Sequence, residues 1–277
     1  MAGTNYAREL SVARQLAREA GVDVMRIRGG GALDVEMKPG DEPVTIADKR
    51  ASDLIMAGLR AAFPDDPIIS EESPVPAGAV EAPRHWFVDP IDGTKDFIRG
   101  SDGFSVMIGL VENGVPVMGL VHQPALDRTF SGVRGEMGAW VETATDRTKI
   151  FVSSIHDVEK ARLVASASHR SPDIDKVKST LGIDDEQNIG SIGVKLALIA
   201  MGLRDLYVNP WPKTKAWDTC APEAILNAAG GRLSDLFGEP IGYTGALNHP
   251  RGLVASNGHV HDAVITKIAP LFAHLRA

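Results

Sequence analysis

Residues 86–94 carry the sequence WFVDPIDGT, in which an apolar run leads directly into two acidic residues. The run Trp86–Val88 is typical of a buried strand. Asp89 and Asp92 follow it three positions apart, so a tight turn at the end of the strand can aim both carboxylates at one point. Carboxylates placed in this way favour the binding of a hard metal ion.

The other residues of this segment fit the same interpretation. Pro90 fixes φ and has no N–H group, which leaves the carbonyl of Ile91 available as a ligand. Gly93 allows the backbone to turn and to approach a ligand closely. We expect Thr94 to begin a short helix, whose free N–H groups favour an anion. Metal-binding carboxylates beside such a helix start indicate metal-assisted phosphoryl chemistry.

Further acidic residues stand at the ends of apolar segments, namely Asp48, Glu71, Glu72 and Asp218. Oxygen ligands without paired Cys or His suit Mg²⁺ or Mn²⁺ better than Zn²⁺. Each acid also has a plain structural explanation. Asp48 completes a capping box with Thr45, Asp218 can cap a following helix, and DPIDG is a common turn composition. Glu71-Glu72 alone is typical of a solvated pair.

The composition bounds the class of protein. The chain has 277 residues, one cysteine and a formal net charge of −7. One cysteine excludes a disulfide framework and a cysteine-rich zinc site. The negative charge makes nucleic acid an unfavourable partner and argues against an anionic membrane surface. The sequence has no apolar run of transmembrane length and no signal-peptide pattern at its start, so we expect a cytoplasmic protein.

The pattern of elements predicts a layered α+β or α/β protein with strands and helices mixed throughout. We expect an N-terminal α+β subdomain over residues 1–146, carrying most of the acids, and a C-terminal α/β subdomain over residues 147–277, carrying Asp218 and the substrate contacts. Other predicted features are a first helix that stops at Gly21, a flexible or hairpin stretch over 26–43, a second helix from Thr45, a hairpin over 106–121, a helix over Cys220–Ala229 and a last helix over His259–Leu275.

Together, the segments DPIDGT, SEES (residues 70–73) and WDTCAPEAILNAAGGRLSD (residues 217–235) resemble the inositol monophosphatase superfamily of lithium-sensitive, magnesium-dependent phosphomonoesterases. The resemblance covers about Val44 to Asn257. It implies an αβαβα sandwich of the inositol monophosphatase/fructose-1,6-bisphosphatase type and a site that binds two Mg²⁺ ions, with a third, weaker ion at Glu71 and Mn²⁺ as a substitute.

The resemblance also implies roles for individual residues. One ion takes Glu71, Asp89 and the carbonyl of Ile91, and the other takes Asp89, Asp92 and Asp218. Glu72 matches the motif without a ligand role. Asp48 and Thr94 together orient a water molecule and take its proton, so that Asp48, Thr94 and Glu71 form the expected catalytic set.

The sequence TKDF over residues 94–97, the segment WDTCAPE and the segments ASH (167–169) and GSIGVK (190–195) resemble the 3′(2′),5′-bisphosphate nucleotidase branch. This branch hydrolyses adenosine 3′,5′-bisphosphate to AMP. The substrate contacts implied are Gly93 and Thr94, Ser168 and His169 near the nucleoside, and Ser191 and Lys195 near the second phosphate. A lone histidine in a loop and a solvated helix lysine remain the alternatives for His169 and Lys195.

Two other functions stay open at this point. One is an inositol monophosphatase or related sugar phosphatase, which would share the acids but not need Lys195. The other is a non-catalytic regulatory protein of the same fold that binds RNA or polymerase, which the complete set of acids and the negative charge disfavour. The sequence leaves the choice between monomer and homodimer undecided.

Overall fold

The computed structural model describes residues 6–40, 42–135, 138–168 and 170–276. Two sheets, separated and covered by helices, form the protein. The helices are α1 Ala7–Gly30, α2 Ile46–Ala62, α3 Thr94–Ile98, α4 Asp173–Leu181, α5 Ile192–Ala200, α6 Ala216–Ala228 and α7 His261–Ile268. A small antiparallel hairpin, β1 (Glu36–Lys38) and β2 (Glu42–Val44), lies outside both sheets.

The larger sheet has seven strands in chain order. They are β3 Ile68–Ser70, β4 Arg84–Asp92, β5 Ser105–Glu112, β6 Val115–Gln123, β7 Arg128–Val133, β8 Gly138–Glu142 and β9 Arg147–Ile150. Among the described strands of this sheet, β3 and β4 are the pair that runs parallel, so the acidic ends of these two strands lie at the same edge of the sheet. The β5–β6 hairpin predicted around Asn113-Gly114 is confirmed.

The second sheet has five strands in the order β11-β10-β12-β14-β13. The strands are β10 Leu163–Ser166, β11 Glu186–Ile189, β12 Leu206–Asn209, β13 Arg232–Ser234 and β14 Leu253–Ser256. Strand β10 is parallel to both its neighbours, whereas β14 is antiparallel to β12 and β13.

Apolar cores between the helices and the sheets hold the layers together. The pair α1 and α2 covers one face of the seven-stranded sheet. Helices α5 and α6 lie between its other face and the five-stranded sheet, and α4 and α7 cover the outer face of the second sheet. The predicted αβαβα sandwich is therefore confirmed. Glycines let α6 approach the sheet, since a Cβ on Gly119 would lie 2.0 Å from the carbonyl oxygen of Ala221.

Several predicted boundaries were wrong. Helix α1 continues to Gly30 because Gly21 is a packing glycine, whose Cβ would lie 2.7 Å from the ring of His122. Helix α6 begins at Ala216 rather than Cys220, which places Asp218 in its first turn. The last helix gives way to a 3-10 helix at Ala269, directly before Pro270.

The expected division after residue 146 falls in the turn between β8 and β9. Strand β9 still pairs with β8, so the first sheet includes residues on both sides of that position. The division into 1–146 and 147–277 stays a prediction. Within the described ranges, no helix is long and apolar enough to cross a membrane.

Candidate active site

Asp48 uses its two carboxylate oxygens for two different partners. Its Oδ2 accepts hydrogen bonds from the backbone N–H of Thr45 at 2.8 Å and from the Thr45 hydroxyl at 2.6 Å, which completes the capping box of α2. Its Oδ1 accepts from the Thr94 hydroxyl at 3.1 Å. Burial raises the pKa of Asp48, and the hydrogen bonds from Thr45 and Thr94 oppose this effect. The structural and the functional interpretations of Asp48 are therefore compatible.

The end of β4 presents the two aspartates of the DPIDGT segment. Asp89 is buried, with 1% of its surface exposed, and Asp92 is half-buried. The turn after them needs glycine, because Gly93 has φ +95° and a Cβ there would lie 2.7 Å from the carbonyl oxygen of Gly103. Helix α3 starts at Thr94, as predicted. The Thr94 hydroxyl lies 3.0 Å from the Ile91 carbonyl oxygen, which is a second acceptor for its proton.

Glu71 follows β3 at the same edge of the sheet and is paired with a lysine that the sequence analysis did not single out. The ammonium of Lys38, from the β1–β2 hairpin, donates to Glu71 at 2.8 Å and to Glu72 at 2.5 Å. Burial lowers the pKa of Lys38, but the negative charges of Glu71 and Glu72 outweigh it and hold that pKa above the usual value. Sequence spacing could not predict this pair, because the fold of the β1–β2 hairpin is what brings Lys38 next to Glu71.

Asp218 approaches the same point from the opposite layer. It is the third residue of α6, and its Oδ2 accepts from the backbone N–H of Lys215 at 2.7 Å. Burial raises its pKa well above the usual value, and the negative charges of Glu71 and Asp92 raise it further. The carboxylates of the two layers are thus close enough to disfavour each other's ionisation.

Asp89 is at the centre of this acidic cluster. Burial raises its pKa well above the usual value, and the charges of Glu71, Asp92, Asp218 and Asp48 add to the effect. Its Oδ1 is buried and has no hydrogen-bond partner among the described residues. A buried, unpaired carboxylate oxygen surrounded by like charges is costly unless a cation compensates it. The cluster therefore fits hard cations such as Mg²⁺ in charge and in donor type.

The carboxylates of Asp92 and Glu71 accept hydrogen bonds from other groups of the protein. Asp92 Oδ2 accepts from the Ser191 hydroxyl at 2.6 Å and from the backbone N–H of Gly193 at 2.8 Å. These bonds hold the Asp92 carboxylate in place, and the ion pair with Lys38 holds that of Glu71. Among the residues described, no three His, Cys, Asp or Glu side chains already form a metal-ligand group.

A cleft of about 240 Å³ connects these residues with the predicted substrate contacts. The predicted residues that line it are Glu71, Asp89, Ile91, Asp92, Gly93, Thr94, Ser168, Ser191, Lys195 and Asp218. Asp48 reaches it through Thr94. His169 lies outside the described residues.

Lys195 is a buried lysine, which contradicts the alternative of a solvated helix residue. Only 2% of its surface is exposed, and its neighbours along α5 are apolar and buried. Burial lowers its pKa to about 8, although the charges of Asp92, Asp96 and Asp218 oppose this effect. Its ammonium lies 3.4 Å from the Ile189 carbonyl oxygen and 5.3 Å from the centre of the Tyr207 ring. A buried cation therefore faces the cleft beside the acids.

The two serines of the predicted substrate set are hydrogen bonded within the protein. Ser191 donates to Asp92 and accepts from the backbone N–H of Val194 at 2.9 Å. Ser168 donates to Asp96 Oδ2 at 2.7 Å and accepts from Arg99 at 3.0 Å. Their roles toward a substrate stay predictions.

Several residues of the cleft had no signal in the sequence analysis. They include Glu42, Tyr207, Asn209, Trp211, Lys213 and Lys215. Most lie in the hairpin β1–β2 or in the loop between β12 and α6. These segments reach the cleft only through the tertiary fold.

Comparison with known proteins identifies the family of the chain. The model of the inositol monophosphatase family matches residues 5–271. The 3′(2′),5′-bisphosphate nucleotidase CysQ of Escherichia coli (strain K12) is 38% identical over 233 residues, which are 83% of this chain and 92% of the relative. The histidinol-phosphatase of Mycobacterium tuberculosis is 33% identical and covers 94% of this chain and 97% of its own length.

Solved structures of the same fold are similar over nearly the whole chain. The IMPase of Thermotoga maritima has a TM-score of 0.80 at 28% identity, covering 96% of this chain and 98% of its own. CysQ of Bacteroides thetaiotaomicron has a TM-score of 0.75 at 26% identity, covering 91% and 98% respectively.

Proposed function

The chain belongs to the inositol monophosphatase family and is a phosphatase, and we propose that it hydrolyses adenosine 3′,5′-bisphosphate to AMP and phosphate. The observation that carries this choice is the buried ammonium of Lys195 in the same cleft as the acidic cluster. A substrate with two phosphates needs a cation for the group that does not react. The similarity to the nucleotidase of E. coli supports the same substrate.

Mg²⁺ is the proposed cofactor. Glu71, Asp89 and the Ile91 carbonyl would hold one ion, and Asp89, Asp92 and Asp218 the other. The unpaired Oδ1 of Asp89 and the like charges around it support this assignment. When bound, the ions make a water molecule more acidic and stabilise the charge on the leaving oxygen. A third, weaker ion at Glu71 and replacement by Mn²⁺ belong to the same proposal.

The protein's own groups position the nucleophile. The hydrogen bond from Thr94 to Asp48 Oδ1 orients the Thr94 hydroxyl oxygen, which can then accept a hydrogen bond from the attacking water. As Asp48 takes the hydroxyl proton, Thr94 takes the proton of the water. Burial raises the pKa of Asp48, which strengthens it as a base.

A substrate panel tests the proposed reaction. Phosphate release is measured with and without Mg²⁺ on adenosine 3′,5′-bisphosphate, its 3′-phosphosulfate analogue, myo-inositol 1-phosphate, fructose 1,6-bisphosphate and histidinol phosphate. We expect the nucleoside bisphosphate to have the highest kcat/KM and release to require Mg²⁺. A preference for inositol 1-phosphate or a sugar phosphate would instead establish the alternative function.

Lys195→Met tests the role of the lysine, since methionine keeps most of the side-chain volume. A charge-assisted hydrogen bond contributes about 1.5–3 kcal/mol, so kcat/KM for the bisphosphate should fall roughly 10- to 150-fold. The loss on inositol 1-phosphate should be much smaller. Lys267→Met, at an exposed position of α7, serves as the control. Equal losses on both substrates would mean that Lys195 supports the fold or the general site.

A further inference from the structure

Trp211 combines two features that do not occur together elsewhere in the described chain. It is a large apolar side chain with 52% of its surface exposed, and it lines the catalytic cleft. The other exposed large apolar side chains among the described residues lie outside the cleft. Exposing an indole to water costs free energy that a ligand can recover by covering it.

The loop around Trp211 is fixed rather than loosely attached. Asn209 Oδ1 accepts from the backbone N–H of Trp211 at 3.1 Å, and Asn209 donates to the Thr214 hydroxyl at 3.0 Å. Pro210 and Pro212 flank the tryptophan and restrict φ on both sides. The backbone that carries the indole is therefore positioned at the cleft before any ligand arrives, which lowers the entropic cost of binding.

Two other aromatic side chains line the cleft, but both are less exposed than Trp211, since Tyr207 is buried and Trp217 is half-buried. In the proposed function, the acidic cluster with its metal ions and Lys195 bind the phosphates. The Ser168 hydroxyl is hydrogen bonded to Asp96 and Arg99. Neither the acids, nor Lys195, nor Ser168 offers a flat apolar surface to a ligand. A polyol phosphate has no planar group to place against an indole, whereas a nucleotide carries one.

We propose that Trp211 is the surface on which the purine base of the substrate stacks, and hence a residue that selects nucleotides over polyol phosphates. The inference rests on the proposed function. The ammonium of Lys213 lies 5.3 Å from the centre of the indole ring and occupies one face. The base takes the opposite face, so that Lys213 and the base sandwich the indole.

The test compares two substrates that differ only in the base, adenosine 3′,5′-bisphosphate and the abasic ribose 3,5-bisphosphate. Stacking of one base on an aromatic side chain predicts a loss of roughly 5- to 150-fold in kcat/KM for the nucleotide in Trp211→Leu. The loss for the abasic substrate should be smaller, and Trp211→Phe should retain most of the selectivity. Phe151→Leu is the matched control, because Phe151 is an exposed aromatic with Lys149 at 5.5 Å but lies outside the cleft.

Binding of AMP provides a second measurement that does not depend on turnover. The chain has four tryptophans, of which Trp211 and Trp217 line the cleft, so we expect AMP to quench the fluorescence of the wild type and of Phe151→Leu equally and that of Trp211→Leu much less. An unchanged quench in Trp211→Leu, or equal losses on the two substrates, would overturn the inference and leave the nucleotidase function intact. A wild type that hydrolyses inositol 1-phosphate but not the nucleotide would refute the proposed function, and the inference with it.

Discussion

Asp48 shows how one residue can belong both to the scaffold and to the site. Its Oδ2 is bound by the capping box at the start of α2, so the carboxylate has one orientation. Its Oδ1 consequently points to Thr94, at the start of α3. The capping bonds therefore align the proposed base, and a local rule of helix formation positions a residue for chemistry.

Thr94→Ala should lower kcat by about 10²- to 10⁴-fold, because general-base assistance to the water is lost. The affinity for Mg²⁺, measured by calorimetry, should change little, since Thr94 is not assigned to a metal. Asp48→Asn should give a similar loss, and the double variant little more, because the two residues act as a unit. Thr94→Ser keeps the hydroxyl and is the control. Additive losses in the double variant would contradict the pair.

Asp89→Asn should remove most of the Mg²⁺-dependent activity, because Asp89 is assigned to both ions. In EDTA the same variant should unfold at a higher temperature than the wild type, since it removes a negative charge that burial and four neighbouring acids disfavour. Asp205→Asn is the contrasting control. Asp205 is equally buried but pairs with Arg162 at 2.7 Å, so its loss should lower the melting temperature. Mg²⁺-dependent turnover at the wild-type rate in Asp89→Asn would refute the metal assignment.

At the scale of elements, α6 lies in the helix layer between the two sheets and carries Asp218. A segment near residues 243–249 holds its first turns. Thr219 is hydrogen bonded to His249 at 2.8 Å, and Tyr243 donates to Glu223 at 2.5 Å. Glu223 is buried and forms no ion pair with any described residue, and burial raises its pKa to about 7. The helix thus contains an acid that the folded state prefers to keep neutral.

Glu223→Gln should therefore change how stability depends on pH. Because the pKa of Glu223 is about 7 in the folded protein and near 4.5 in the unfolded chain, its ionisation lowers the free energy of unfolding progressively between these values. The shift corresponds to about 3 kcal/mol, fully lost above pH 7. The variant should be more stable than the wild type at pH 8 and gain little at pH 5, in urea unfolding. Glu239→Gln, at an exposed position, is the control. Parallel pH curves for wild type and Glu223→Gln would contradict this.

The sequence was sufficient where a short-range rule applied and insufficient where the tertiary fold placed a residue. The strand before Asp89, the turn at Gly93, the start of α3 and the capping box of Asp48 all follow from neighbouring residues, and the structure contains them. Gly21 was misinterpreted because a packing glycine and a terminating glycine look alike in a sequence. Lys38 and Trp211 could not be found, since their distance to the acids depends on how the hairpin β1–β2 and the β12–α6 loop fold back.

At the scale of the whole molecule, the acidic cluster joins two layers of the sandwich. Glu71, Asp89 and Asp92 belong to the edge of the seven-stranded sheet, and Asp218 to the helix layer behind it. Their charges oppose each other's ionisation across this boundary. The cluster therefore weakens the packing of the layers in the absence of a compensating cation, and a divalent ion shared by both layers should strengthen it.

Mg²⁺ should consequently raise the melting temperature of the whole protein. Binding to the folded state alone contributes about 2.7 kcal/mol at a concentration 100 times the Kd, which corresponds to a shift of roughly 5–10 °C for a chain of this size. NaCl at equal ionic strength should give a much smaller shift, because buried charges are poorly screened. Asp89→Asn and Asp218→Asn should each reduce the Mg²⁺ shift, the former more strongly because Asp89 is assigned to both ions. Scanning calorimetry in EDTA, NaCl and MgCl₂ measures all three effects. Equal shifts with NaCl and MgCl₂ would mean that the acids act only through the general charge of the surface and do not bind an ion between the layers.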